Sequence, residues 1–527
     1  MSATGLAVPE QPAAPVRADK ASAAEWMAVT AGSLGSFMAS LDISIVNSSL
    51  PTIQGEIGAS ASEGTWVATA YLVAEIVIIP LTGWFERMLG LRRFLLGAAI
   101  LFTGFSVMCG MAGDLTTMII GRVGQGLTGG AMIPTAMIII ATRLPPRQQP
   151  IGTAAFGSTV LVAPILGPIL GGWLTENFSW HYAFFINVPI CAVLVALLML
   201  GLRPARANLA EIFEADWAGV LGMILGLGAL TVVLEEGHRE QWYESSLITN
   251  LTLVSLLGFV LIGWGQFRAK RPVIHLRILR KPDFAGIVVM SFVGGMVLLS
   301  LPYITPQFLV AVAGYNPFQA GQVVLIFGVP PLILMPMVPL MLPHVNIRWA
   351  TAGGFAFVAA GCFINSRLSP DTAGPQFVWP QLIMGGGMLI AMAMLNQASI
   401  TSGGAKDAAD ASGLFNASRN LGGAFGLAIL ATMRDHQLDV HQWEIFSTLS
   451  ANDIDLQSRL SAAANALGGG QEGLTAAYRM LETRVAHDAL VMAFADNFFL
   501  MGAATVLILP LTLLLQPLPD DFEMSLH

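Results

Sequence analysis

Apolar residues along this 527-residue chain come in long runs, and polar residues are largely confined to the intervals between them. About 30 Å of hydrocarbon takes about 20 helical residues, so each run of that length predicts one membrane-crossing helix. Fourteen such runs can be drawn, at approximately 26–51, 65–85, 94–112, 115–141, 151–175, 183–202, 217–236, 246–267, 284–312, 319–341, 349–367, 377–400, 408–433 and 488–516. Two groups of six with a pair between them account for the series. The expected organisation is therefore all-α and 6+2+6. It has a tail at 1–25, a six-helix bundle at 26–202, a linker with two extra membrane helices at 203–283, a second six-helix bundle at 284–516 and a tail at 517–527. Each bundle is compatible with an inverted repeat of three helices.

One long interval, 434–487, carries a pattern of its own. Leu456, Leu460 and Ala464, then Leu474, Tyr478 and Leu481, recur at helical spacing, with Gly468–Gly470 separating the two sets. This predicts a helical hairpin that continues the thirteenth span and leads into the fourteenth.

Composition excludes a soluble fold: 55% of residues are hydrophobic and 11% charged, against roughly a quarter charged in soluble domains, and mean hydropathy is +0.69. The net charge of −8 decides nothing, whereas the placement of the cations does. With the N-terminus inside, seventeen of the 25 Lys and Arg fall in inner segments, and only Arg239 and Arg367 in the short outer loops. The positive-inside rule then puts both ends, and the loop Gly83–Arg93, in the cytoplasm, and 434–487 outside. Residues 1–25 have no signal-peptide core, so the first span is expected to do the targeting. Cys109, Cys191 and Cys362 lie inside apolar runs and read as core residues, giving neither a disulfide framework nor a metal site.

Three ionisable residues sit within the first bundle's spans. Asp42 falls in Leu41–Pro51 (LDISIVNSSLP), Glu75 near the centre of the second span, and Arg122 in the outer third of the fourth. At 1.5 Å per residue they lie about 14, 15 and 10 Å deep. An ionisable group at such depth is a functional candidate by default and should face the bundle interior or water. Arginine favours the charged form of a nearby carboxylate while burial favours the neutral one, so the three could share a proton-coupling site. Asp42 ranks first and Glu75 second. The structural alternatives are an Asp42 that merely ties helices together and an Arg122 that clamps backbone carbonyls.

A further stretch, Gly157–Gly172 (GSTVLVAPILGPILGG), places Pro164 and Pro168 four apart on one face, with Gly167, Gly171 and Gly172 around them. Proline removes a helical hydrogen bond, bends the helix and leaves carbonyls for another group to satisfy. Glycines at that spacing admit a neighbouring backbone.

These motifs resemble those of the major facilitator superfamily. Gly167-Pro168-x-x-Gly171-Gly172 is similar to its antiporter signature, with Ala163 where an earlier glycine is usual. Leu41–Pro51 resembles the LDxTxVNxALP element of drug:proton antiporters, with Ser44 in the threonine position. Arg122, Gln125 and Gly126 match RxxQG. Gly83, Gly90, Arg92 and Arg93 match the loop GxLxDRxGRR, although Arg87 stands where its aspartate belongs and Glu86 precedes it, so the charge relay of that gate is expected to be rewired. Gly64–Val67 with Tyr71, Ile79–Trp84, Phe184–Pro189 after Ser179-Trp180, and Ser412–Gly423 narrow the resemblance to EmrB-type, fourteen-helix drug:proton antiporters.

The resemblance covers most of 26–516. It implies a multi-pass protein of the bacterial inner membrane that exports hydrophobic or amphipathic compounds by alternating access, driven by the proton gradient, with no cofactor, no metal and no nucleic-acid partner. Membrane lipid and small substrates are the expected partners, together with the periplasmic adaptor protein and outer-membrane channel that such exporters imply. Asn47, Tyr71, Gln125, Gln307, Asn416 and Arg419 are expected to line the substrate cavity, which Met and Phe would make adaptable. A dedicated exporter of one metabolite, such as a fatty acid or a siderophore-like compound, would use the same mechanism, and a symporter is disfavoured by the proline–glycine signature. An intramembrane enzyme is not expected, since the chain has no P-loop, no HExxH and no Asp-rich loop.

Overall fold

A computed structural model describes residues 20–205, 207–208, 215–269, 276–341, 344–449 and 454–516. The expected tails at 1–25 and 517–527 therefore lie largely or wholly outside the described residues, as does part of the linker. Among the described residues every regular element is helical. The long helices are α1 (Ala23–Glu56), α2 (Trp66–Leu89), α3 (Leu91–Gly110), α4 (Leu115–Arg143), α5 (Gln149–Asn177), α6 (Asn187–Gly201), α7 (Trp217–Glu236), α8 (Ser246–Arg268), α9 (Pro282–Ala311), α10 (Pro317–Leu334), α11 (Ile347–Asn365), α12 (Gly374–Thr448), α13 (Ile454–Ala466) and α14 (Gly470–Leu507).

Local chemistry fixes several of the ends. Ser22 starts α1 with a reciprocal capping box, its hydroxyl accepting from the Glu25 N–H while the Glu25 carboxylate accepts from the Ser22 N–H at 2.6 Å. Asp114 caps α4 by accepting from the Thr117 N–H at 2.9 Å. Between α2 and α3 the chain turns at Gly90, whose φ of +78° is costly for any residue with a Cβ.

Among the described residues, twelve helices are long and apolar enough to cross a membrane, or thirteen if the two halves of α5, bent by 41° at Pro164, count as one span. The expected run at 408–433 lies in the second part of α12, a single helical stretch of 75 residues of which only Gly374–Ser402 is among these spans. Its contacts with α9 nevertheless run in both directions. In its first part, Gln381 donates to Thr305 at 3.0 Å and Ser402 donates to Asp283 at 2.8 Å, so residue numbers rise along α12 while they fall along α9. Beyond that, the Phe415 carbonyl accepts from Ser291 at 3.0 Å and Arg434 donates to Gln307 at 2.7 Å, so both numbers rise together. The chain reverses between Ser402 and Phe415, and α12 has two legs.

Close helix pairs depend on glycine. Along the α7–α8 seam, a Cβ on Gly258 would strike the backbone of Gly226, which explains how these two helices pack so tightly. The α7–α8 pair is anchored to α2 where Thr69 donates to Glu236 at 2.9 Å. At the far end of the second leg of α12 the helix continues to Thr448, and α13 and α14 form a hairpin joined through Gly468, Gly469 and Gly470, all with positive φ. The three cysteines are free and buried.

Candidate functional site

Asp42, in the middle of α1, is fully buried, and so is Arg122 from α4. An Arg122 Nη1 donates to Asp42 Oδ2 at 2.5 Å. Three further donors and acceptors complete the cluster. Gln125, one turn along α4, accepts from Arg122 at 3.0 Å and donates to Asp42 Oδ1 at 2.9 Å. Asn187, at the start of α6, donates to the same Oδ1 at 2.7 Å. Ser106 of α3 accepts from both amides, at 2.6 and 2.8 Å. Arg122 Nε also donates to the Val67 carbonyl at 2.9 Å, and its guanidinium lies 4.3 Å from the centre of the Tyr71 ring. The pair thus ties α1, α2, α3, α4 and α6 together. Both Asp42 oxygens and Arg122 Nε and Nη1 have partners, which offsets the desolvation of the pair, while Arg122 Nη2 has none among the described residues; a pair with either member missing would lose that compensation.

Glu75 is also buried, but it faces a different way. Its hydrogen bond comes from Asn420, on the second leg of α12, at 3.4 Å. Gly130 of α4 lets that carboxylate side chain approach, since a Cβ there would meet Glu75 Cγ at 2.8 Å. Depth along the helices therefore matched Glu75 with Asp42 and Arg122, while helix rotation turned it toward the other bundle. The same seam continues towards the Arg87 end. Ser412 donates to the Pro134 carbonyl at 3.1 Å, Asn416 approaches the Met137 sulfur at 3.3 Å, and Arg87 stands 3.9 Å from the buried Asp410. Arg87 is the residue that replaces the expected aspartate, and its partner lies in the opposite bundle. Gly83 is buried nearby, Arg92 is half-buried and Arg93 exposed.

The proline–glycine stretch packs on the Asp42 helix. A proline at 168 has no N–H to offer the carbonyl of Pro164, one turn earlier, and the Ser44 hydroxyl donates to that carbonyl at 3.1 Å instead. Gly167 lies against Ser44, and Gly171 against Ile45 and Ser48, with no room for a Cβ at either. Ser49 extends the contact through Thr175 at 2.9 Å. Gly172 borders open space and Pro164 and Pro168 are exposed, so only part of the motif makes the interface.

A family model described as Major Facilitator Superfamily matches residues 32–427. This chain belongs to the major facilitator superfamily. Within the superfamily it is of the EmrB type: it is 32% identical over 90% of its length to the colistin resistance protein EmrB of Acinetobacter baumannii, covering 90% of that protein. It is 30% identical over 90% of its length to the multidrug export protein EmrB of Escherichia coli, covering 92% of it. The fatty acid resistance protein FarB of Neisseria gonorrhoeae is 27% identical, with 94% of this chain and 97% of that one aligned. The fold is shared with the proton:xylose symporter XylE, at a TM-score of 0.59, 13% identity and coverage of 92% and 94%. Family membership and the apolar spans make it a multi-pass protein of the bacterial inner membrane.

The residues expected in the substrate cavity of this superfamily member separate into five places. Tyr71 and Gln125 belong to the Asp42 cluster. Asn416 is fully buried in the seam between bundles, and Asn47 is exposed on α1. Gln307 sits in an outer groove against Arg434. Arg419 lines a cavity of about 60 Å³ between the bundles, together with Phe156, Met335, Met388, Met392 and Phe415. Asn187 and Ser106 are not among the expected site residues, although an asparagine inside the apolar run Phe184–Pro189 is the kind of signal that marks a buried partner. Asn420 was noted only as part of a motif, because its partner lies 345 residues away.

Proposed function

We propose that this protein is a proton-driven antiporter that exports hydrophobic or amphipathic compounds across the inner membrane by alternating access between its two bundles. The observation that carries the reading is the contrast between two buried carboxylates. Asp42 is locked in an ion pair, so its protonation would strand a buried Arg122 charge. Glu75 has a single long hydrogen bond, from a residue on the other bundle, and shares the seam with Arg419 on the wall of the cavity. Separation of the bundles removes Asn420 from Glu75 and opens it to water. Glu75 is therefore the group that gains and loses the proton, and Asp42 with Arg122 holds the first bundle rigid around it. A substrate entering beside Arg419 changes the charge balance at Glu75, and this links its passage to the proton. No cofactor is needed for this cycle.

The cross-bundle polar contacts, from Glu75 to Arg87 and from Pro134 to Met137, lie between the middle of the bundle and the end that carries Arg87 and Arg143. This supports an outward-facing conformation closed at the cytoplasmic end. Counting the legs of α12 separately and α5 as one span supports fourteen spans, with both ends and Gly83–Arg93 cytoplasmic. The hairpin of α13 and the first part of α14, up to residue 487, then stands in the periplasm, where we assign it to docking the adaptor protein that hands substrates to an outer-membrane channel. A substrate range narrowed to fatty-acid-like anions is the alternative, favoured by Arg419 in the cavity and by the resistance named for the Neisseria relative.

Purified protein in liposomes with an imposed pH gradient tests the coupling. Glu75→Gln should abolish gradient-driven substrate accumulation while substrate binding stays measurable. Gradient-driven transport at the wild-type level by Glu75→Gln would remove the proton from this site.

A further inference from the structure

A groove of about 670 Å³ opens between α9, the last turns of the membrane leg of α12, and α14, outside the seam and the central cavity. Val310, Leu438, Leu490 and Phe494 make its walls apolar. Two adjacent residues of opposite charge, Arg434 and Asp435, line the same groove. Arg434 Nε donates to Asp435 at 2.9 Å, and an Arg434 Nη1 donates to Gln307 at 2.7 Å, so the guanidinium is held in place by neighbours rather than free to swing. His238, from the turn after α7, lies 3.1 Å from the other carboxylate oxygen of Asp435. The floor of the groove includes Pro302 and Pro306. Pro306 has no N–H, so the carbonyl of Pro302, a residue of the groove, lacks its ordinary helical donor.

We infer that this groove binds a zwitterionic phospholipid, with the lipid phosphate on Arg434, its ammonium on Asp435 and the Pro302 carbonyl, and an acyl chain along Leu438, Leu490 and Phe494. A fixed cation and a fixed anion side by side match a headgroup that carries both charges. A purely anionic amphiphile would meet repulsion from Asp435, and a purely cationic one repulsion from Arg434. The apolar walls suit a chain rather than a compact solute, and about 670 Å³ accommodates a headgroup and the first part of one chain, not a whole lipid. The site is independent of the proposed proton site, since none of its residues touches Glu75 or Asp42 in the described contacts.

Native mass spectrometry of the detergent-purified full chain, titrated with phosphatidylethanolamine or phosphatidylglycerol, tests this directly. The wild type should retain phosphatidylethanolamine at least several-fold more strongly than phosphatidylglycerol. Arg434→Gln should lower phosphatidylethanolamine retention about tenfold. Asp435→Asn, which leaves the cation unopposed, should invert the preference toward phosphatidylglycerol. A wild type that does not discriminate between the two lipids overturns the site and leaves only annular lipid. An Asp435→Asn protein that keeps the wild-type ratio overturns the role of the charge pair, and this holds even if Arg434→Gln proves too unstable to purify.

Discussion

Two buried acidic sites in the same half of the molecule are built on opposite plans. Around Asp42 of α1, four further helices contribute an arginine, two amides, a hydroxyl and an aromatic face, all within one bundle. Around Glu75, a glycine makes room on one side, and the hydrogen bond from Asn420 crosses from the other bundle at 3.4 Å. The first arrangement resists any change in charge, because each member would be left unsatisfied without the others. The second loses little when its partner withdraws. A transporter needs both kinds of site: a frame that keeps its shape through the cycle, and a group whose surroundings differ between the two ends of it.

The sharpest way to break this comparison is to neutralise the frame. Asp42→Asn leaves Arg122 buried without its counter-charge, for which a loss of about 3–5 kcal/mol is expected, seen as a large fall in melting temperature and in the yield of folded protein. Glu75→Gln, measured alongside, should melt close to the wild type. If the two variants melt alike, the distinction between frame and moving part fails. A smaller effect is expected from Asn187→Ala, which removes one donor to Asp42 and should destabilise by about 1–3 kcal/mol, again without changing the dependence of transport on the pH gradient. An altered pH dependence in that variant would draw Asp42 back into the coupling step.

Ser44→Ala sharpens the same contrast on the α1–α5 contact. It leaves the Pro164 carbonyl without its donor in a partly open place, at a cost of about 0.5–1.5 kcal/mol, and thermal unfolding of the purified protein reads it. The smallest effect belongs to the outer rim. There, burial works against the charged form of His441, but hydrogen bonds to Asp496 and Glu444 outweigh it and hold its pKa above the ordinary value. The stability it contributes is complete below the ordinary histidine pKa of about 6.5 and fades as pH rises through the raised value. His441→Gln should therefore narrow the difference between melting temperatures recorded at pH 5.5 and pH 8.5, and an unchanged difference would show that the pairing contributes nothing.

What could be read from the sequence and what could not divide along physical lines. Helix positions follow from apolar length, so every predicted run coincides with a helix or a leg of one, and even the break at Gly468–Gly470 was visible. The pairing of Asp42 with Arg122 was accessible because both lie at similar depth and neither can be left alone in hydrocarbon. Depth says nothing about rotation, which is why Glu75 was grouped with them although it faces the other bundle, and why Gln307 was placed in a central cavity rather than the outer groove. The single helical stretch of α12 was also hidden, since apolar runs mark where the chain crosses and not whether its backbone stays helical while turning back.

The Ser44–Pro164 hydrogen bond has a mechanical meaning as well as a structural one. A bend in most helices is stabilised, or left unsatisfied, by the helix itself. Here the bond that accommodates the bend in α5 belongs to α1, the helix that also carries Asp42. A hydroxyl can rotate about its Cα–Cβ bond far more easily than a backbone can refold, so the bend acts as a latch fastened from outside. Were the Ser44 hydroxyl to turn away, the Pro164 carbonyl would open to whatever fills the space beside it, and α5 would change its curvature without breaking any hydrogen bond of its own.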